Sequence, residues 1–205
     1  MKLFFDTETS GLPNFKARNS DPSQPYILQL AAILCTDEGE IIEEFCTLVK
    51  PANSNPIHPK AYEAHGISRE QCDTEGMPYK EAYSTFMSIA AKASTIIAHN
   101  LSFDTRLLGI MSAQVTGGSS TDDPLYMNFK NLPGICTMQS TISYCALPFP
   151  SGRKGFKYPK LEELYFKLHG VPMSDNYSAH DALGDVRCTK DCYYELVKRG
   201  HYENV

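Results

Sequence analysis

Three shortages bound the reading of this sequence. It has no excess of positive charge, since 19 lysines and arginines against 24 aspartates and glutamates leave a formal net charge of −5. Such a chain has no general pull toward nucleic acid or anionic lipid, so a polyanionic partner must be held by a local basic patch or by bound cations. It has no long apolar run: only three apolar residues separate Lys2 from the carboxylate of Asp6, too few for a signal-peptide core. No other stretch approaches the roughly 20 apolar residues of a membrane span, so no membrane partner is expected. Its seven cysteines, at 35, 46, 72, 136, 145, 188 and 192, contain no CxxC pair. Cys188 and Cys192 would share a helix face, but without a second ligand pair they read as reduced thiols of a cytoplasmic protein.

What is present is ordinary globular material, 205 residues that are 42% hydrophobic and 21% charged, enough for one domain over 1–205. Residues 2–6 read as a buried strand ending in acid, and 26–36 and 41–49 as two more, joined by an Asp37-Glu38-Gly39-Glu40 turn. Loop follows over 51–59, then a short helix over 60–65. Pro78 is placed to open a helix over 79–92. A strand over 94–98, a helix over 103–113, a strand over 135–137 and a helix over 138–145 complete the middle of the chain. Residues 114–133, polar and glycine-rich, read as a flexible excursion near a functional face. Leu161, Leu164, Tyr165 and Leu168 fall at helical spacing after Pro159, and Ser178 is placed to cap the last helix with Asp181 as its partner. Strands first, then strands alternating with helices, predict an α/β domain with a mixed sheet.

Three acidic motifs stand out. Side chains two apart on a strand share a face, so Asp6 and Glu8 project side by side from the end of the first strand. Two carboxylates about 4 Å apart repel by roughly 4 kcal/mol at an effective dielectric near 20. Oxygen ligands of this kind suit magnesium or manganese, and a solvated strand end carrying two unrelated acids is the other reading. Asp104 falls in the first turn of a helix, where the helix dipole alone would explain a carboxylate. His180 and Asp185 lie at the start of the last helix, a pairing common by chance.

In order along the chain these motifs are Asp6-Thr7-Glu8-Thr9-Ser10-Gly11-Leu12, His99-Asn100-Leu101-Ser102-Phe103-Asp104 and His180-Asp181-Ala182-Leu183-Gly184-Asp185. Together they resemble the DEDDh (DnaQ-like) 3′–5′ exonucleases, a family that includes proofreading subunits and ribonuclease T. Weaker echoes are His65-Gly66-Ile67-Ser68 and Cys136-Thr137, and the resemblance spans about residues 3–196. It implies a ribonuclease H-like fold with a five-stranded mixed central sheet flanked by helices, and two divalent cations, Mg2+ or Mn2+. Asp6 would bridge both ions, Glu8, Asp104 and Asp185 would complete their shells, and His180 would be the general base. Imidazole, with an unperturbed pKa near 6.5, suits that task.

The resemblance further implies that Leu12 wedges against a terminal base and Phe103 stacks on a nucleotide, and that Thr7, Thr9, His65 and Asn100 line its sugar and phosphate. Core packing is the alternative for Leu12 and Phe103, and a satisfied loop histidine for His65. His99 reads as structural, and His58, His169 and His201 carry no functional signal. Arg153, Lys154, Lys157 and Lys160 form a basic segment that either tracks a phosphate backbone or is solvated loop. The expected activity is removal of 5′-mononucleotides from the 3′ end of single-stranded nucleic acid, DNA favoured. The alternatives are an exoribonuclease and a non-catalytic nucleic-acid-binding module on the same fold. The absence of an extended tail after Val205 favours a free-standing repair or trimming enzyme over a tethered proofreader, with a homodimer or a polymerase partner both open.

Overall fold

The computed structural model describes residues 1–51 and 53–202. Five strands form one mixed sheet in the order β3-β2-β1-β4-β5. They are β1 (Lys2–Thr9), β2 (Ile27–Cys35), β3 (Ile41–Leu48), β4 (Thr95–Ala98) and β5 (Gly134–Cys136). β1 pairs antiparallel with β2 and parallel with β4, so the sheet changes sense at its central strand. β2 and β3 form the hairpin expected from the Asp37–Glu40 turn, with Gly39 at φ +97° where an L side chain would be strained.

Nine α-helices occur among the described residues. They are α1 (Pro59–His65), α2 (Arg69–Glu75), α3 (Tyr79–Ala90), α4 (Leu101–Thr116), α5 (Pro124–Lys130), α6 (Thr137–Ser140), α7 (Ile142–Cys145), α8 (Leu161–His169) and α9 (Ala182–Lys198). One face of the sheet buries Leu3, Phe5, Ile27 and Ile96 against α3, α4 and α5, with Phe5, Phe86 and Phe129 meeting edge to face. The other buries Phe4, Ile33 and Ile97 against Val186 and Tyr193 of α9. This is the α/β architecture expected, a five-stranded mixed sheet covered by helices on both faces. No helix among the described residues is long and apolar enough to cross a membrane.

Four local expectations change. Residues 114–133 are ordered rather than a flexible excursion: α4 runs on to Thr116, and α5 follows, burying Tyr126 and Phe129. The reason is Asp123, 5% exposed, which caps α5 at the Leu125 amide and accepts hydrogen bonds from Ser112 Oγ (2.7 Å) and from the Tyr83 hydroxyl. The helix expected over 138–145 is two single turns, because Ser140 and Thr141 hydroxyls bond back to the carbonyls of Cys136 (2.9 Å) and Thr137 (2.6 Å). Helix α2 was not foreseen, although Ser68 and Gln71 form a capping box at its start. Ser178 does not cap the last helix: Asp181 does, accepting from the Gly184 amide at 3.1 Å. The loop expected over 51–59 includes Ala52, which lies outside the described residues.

Candidate active site

Alternation along β1 sorts its residues between the two faces. Leu3 and Phe5 enter the core beneath α3 to α5, whereas Phe4 enters the core beneath α9. Asp6 and Glu8 share Phe4's face and therefore meet the start of α9, which carries Asp185 in its first turn. Asp104 arrives from α4 on the opposite face. It is 2% exposed and accepts a hydrogen bond from Thr7 Oγ1 at 2.8 Å, so Thr7 ties α4 to the strand end. The turn from β4 into α4 is made in two residues because Asn100 adopts the left-handed conformation, φ +91°. His180, exposed and also left-handed at φ +58°, closes the group from the segment before α9. One ligand atom each from Glu8, His180 and Asp185 lie within 4.8 Å of one another. The five residues singled out by the motifs thus gather at the carboxyl end of β1.

Burial and mutual repulsion dominate the electrostatics. Burial, then Asp104, Asp185, Glu8 and Asp181, push the Asp6 carboxyl well above the usual range. Glu8 is raised to about 8 by burial, then by Asp185, Asp104 and Asp181. Burial is also the chief cause that raises Asp104 and Asp185 to about 7 each, against a lowering contribution from the Thr7 hydroxyl at Asp104 and from the His180 backbone amide at Asp185. Among the described residues none of the four takes part in an ion pair. Clustered hard oxygen donors with no protein cation paired to them are a donor set that fits divalent metal.

The sign of the linkage makes this testable. A carboxyl whose folded pKa lies above its unfolded value stabilises the fold below the unfolded pKa, near 4. That contribution is lost as pH rises through the folded value. In EDTA, stability should therefore fall by on the order of a few kcal/mol between about pH 4 and pH 8, lowering Tm by roughly 10 °C. Mn2+ should restore far more at pH 8 than at pH 5. Thermal melts in EDTA that stay flat from pH 5 to 8 would show that neither burial nor mutual repulsion raises these carboxyls.

Beside the carboxylates lies a cavity of about 420 Å3 whose lining includes Thr7, Glu8, Thr9, Leu12, His65 and Phe103. Leu12 is 86% exposed, which removes core packing as its explanation. Phe103 rests partly against the core and still lines the cavity. His65 Nδ1 accepts from the Ile67 amide (2.9 Å), so Nε2 carries the proton and faces the Thr9 carbonyl (3.1 Å). Burial lowers its pKa, and with both nitrogens engaged the ring offers a ligand its edge or face rather than a donor. Asn100, expected to line the same subsite, lies outside this lining and serves the β4–α4 turn. His99 is structural as read: it bridges Thr137 Oγ1 and the Pro159 carbonyl at 3.0 Å each, and burial lowers its pKa to about 4. In the basic segment Lys157 pairs with Glu163 at 2.5 Å and Lys160 with Glu162 at 3.2 Å, while Arg153 lies 4.9 Å from the Phe149 ring.

Two residues of this site have roles that the motifs do not assign. Gln29 projects from β2 directly opposite Glu8 and reaches the start of α9. Gly184 is required by close approach, since a Cβ there would stand 2.3 Å from the Ser178 carbonyl oxygen. Gly184→Ala should push the His180-bearing segment off α9, costing about 1–3 kcal/mol as overpacking does. Melting should register it as a Tm lower by roughly 3–10 °C. An unchanged Tm would mean that the segment yields freely.

The sequence model of the exonuclease family RNase_T matches residues 3–193. Among curated proteins the chain is similar to the PolC-type DNA polymerase III of Thermotoga petrophila, 30% identical over 113 residues, covering 55% of this chain and 8% of that protein. The Thermotoga maritima counterpart is 32% identical over 115 residues, covering 56% and 8%. Among solved structures, E. coli Exonuclease I in complex with a dA16 oligonucleotide superposes with a TM-score of 0.72 at 19% identity, covering 96% of this chain and 40% of that one. Exonuclease I from Methylocaldum szegediense gives 0.71 at 20%, covering 97% and 40%. The chain spans under a tenth of those curated relatives and two fifths of those solved structures, and the structural likeness speaks for the fold. With the family match running through all three acidic motifs, the chain belongs to the RNase_T exonuclease family, within the DEDDh (DnaQ-like) group.

Proposed function

We propose that residues 1–205 act as one 3′–5′ exonuclease domain that removes 5′-mononucleotides from single-stranded ends, with DNA as the favoured substrate. The observation that carries this reading is the convergence of four carboxylates, none of them in an ion pair among the described residues, beside a cavity sized for a nucleotide. Asp6, Glu8, Asp104 and Asp185 would hold two divalent cations, Mg2+ or Mn2+. Such cations, when bound, stabilise the attacking and departing oxygens of an in-line displacement at phosphorus. Leu12 and Phe103 hold the terminal nucleotide, and the His65 ring bounds its sugar side. His180 takes the proton of the attacking water on an imidazole nitrogen, free to do so because the ring is exposed at the mouth of the cluster.

DNA is favoured because the similar solved structure is bound to a DNA oligonucleotide and the similar curated proteins are DNA polymerases. The test is digestion of 5′-labelled single-stranded DNA, duplex DNA and RNA of matched sequence with Mg2+ or Mn2+. The expected result is a ladder shortening from the 3′ end, fastest on single-stranded DNA and stopped by EDTA. Internal cuts, or binding without cleavage, would replace this reading with an endonuclease or a binding module. Faster digestion of RNA would make the enzyme an exoribonuclease.

A further inference from the structure

Gln29 is the one polar residue in the otherwise apolar stretch Ile27–Cys35. Its neighbours on this interior strand are buried and Gln29 itself is half-buried, where a polar side chain is costly unless it is hydrogen-bonded. Its amide is committed at both ends. Nε2 donates to Asp181 Oδ1 at 2.9 Å, and Oε1 accepts from the Ala182 amide at 3.0 Å, while the other carboxylate oxygen of Asp181 caps the Gly184 amide at 3.1 Å. The result is a closed set of three hydrogen bonds locking the first turn of α9 to the strand beside Glu8.

The residues on either side of this lock are the ones that need it. His180 sits immediately before Asp181 with a backbone (φ +58°) that a non-glycine residue keeps only where its surroundings enforce it. Asp185 lies one turn further along the same helix. Upstream, Tyr177 donates to Asp191 and the Ser178 backbone packs against Gly184, so the His180 segment is anchored on both sides. Asp181 itself points into the lock.

We infer that Gln29 is a positioning residue: through Asp181 and Ala182 it fixes His180 and Asp185 relative to Glu8. This rests on the exonuclease reading for its kinetic consequence but not for its structural one. The chemistry allows an exchange test. Gln29→Glu puts two carboxylates face to face and loses the donor. Adding Asp181→Asn to Gln29→Glu restores all three bonds of the lock, leaving only the long Gln29 Nε2 contact to Cys46 Sγ (3.8 Å) unreplaced. The side-chain amide now at position 181 donates to the carboxylate now at position 29, which still accepts from Ala182. The side-chain carbonyl at position 181 still caps Gly184, and the net charge is unchanged.

Turnover on 5′-labelled single-stranded DNA with Mn2+ and hydrogen–deuterium exchange across 178–186 should be measured for wild type, the single variant and the double variant. Gln29→Glu should lower kcat by about 10²-fold, the scale of a misplacement near 1 Å, with KM within about threefold. Exchange across 178–186 should quicken, and the double variant should recover both. Wild-type kcat in Gln29→Glu, or a double variant no better than the single, would overturn the inference, as would a kcat loss without faster exchange. A wild-type protein that cleaves nothing would refute the exonuclease reading instead, leaving the exchange data to decide on the lock.

Discussion

Asp6→Asn is expected to give a protein that is inactive and, without metal, more stable than wild type. The substitution keeps the shape of the side chain and removes the charge most beset by its neighbours. Asp104, Asp185, Glu8 and Asp181 all raise the cost of ionising Asp6, on top of burial. Neutralising it should relieve that repulsion at pH 8 by about 1–2 kcal/mol, raising Tm in EDTA by roughly 2–8 °C. Nuclease activity should fall by at least about 10³-fold, as when electrostatic stabilisation of a transition state is removed. Calorimetry with Mn2+ should show the affinity lost. The opposed signs matter: a core substitution that merely damaged the fold would lower Tm and activity together. A variant that binds Mn2+ as wild type does would remove Asp6 from the metal site.

The site was legible where local periodicity dictates geometry. Asp6 and Glu8 could be placed on one face from the two-residue repeat of a strand alone, and β1 has that strand and that face. Asp104, His180 and Asp185 were unremarkable singly, because a helix N-terminus explains a carboxylate without any metal. Only the order of the motifs joined them. Gln29 lay in plain view as a polar break in an apolar strand, but its partner is 152 residues away, and no local rule supplies such a contact. Gly184 has an ordinary helical role by sequence, and its necessity comes from a loop crossing it. The misreading of 114–133 has the same origin: composition announced mobility, while Asp123, Ser112 and Tyr83 meet only once the chain has folded. Exposed Leu12 is the converse case, since sequence could not tell a core leucine from one held out at a cavity mouth.

His180→Ala is expected to lower kcat by roughly 10²–10⁴, the usual worth of a positioned base. Melting should move by less than about 1 kcal/mol, as for a surface substitution. The side chain is exposed and precedes α9, so truncation opens no cavity in the core. The backbone amide directed at Asp185 is retained whatever the side chain. The competing role is metal ligation, which the 4.8 Å grouping with Glu8 and Asp185 would also permit. Calorimetry separates the two. If His180 moves protons, Mn2+ should bind the alanine variant as it binds wild type, and added imidazole should restore part of kcat without altering metal affinity. If it ligates, affinity should fall with activity, and imidazole should restore both. His180 stands in the segment before α9, its left-handed backbone held by the contacts on either side of it. In the proposed reaction, a proton acceptor placed there would meet the attacking water while the carboxylates behind it keep their geometry.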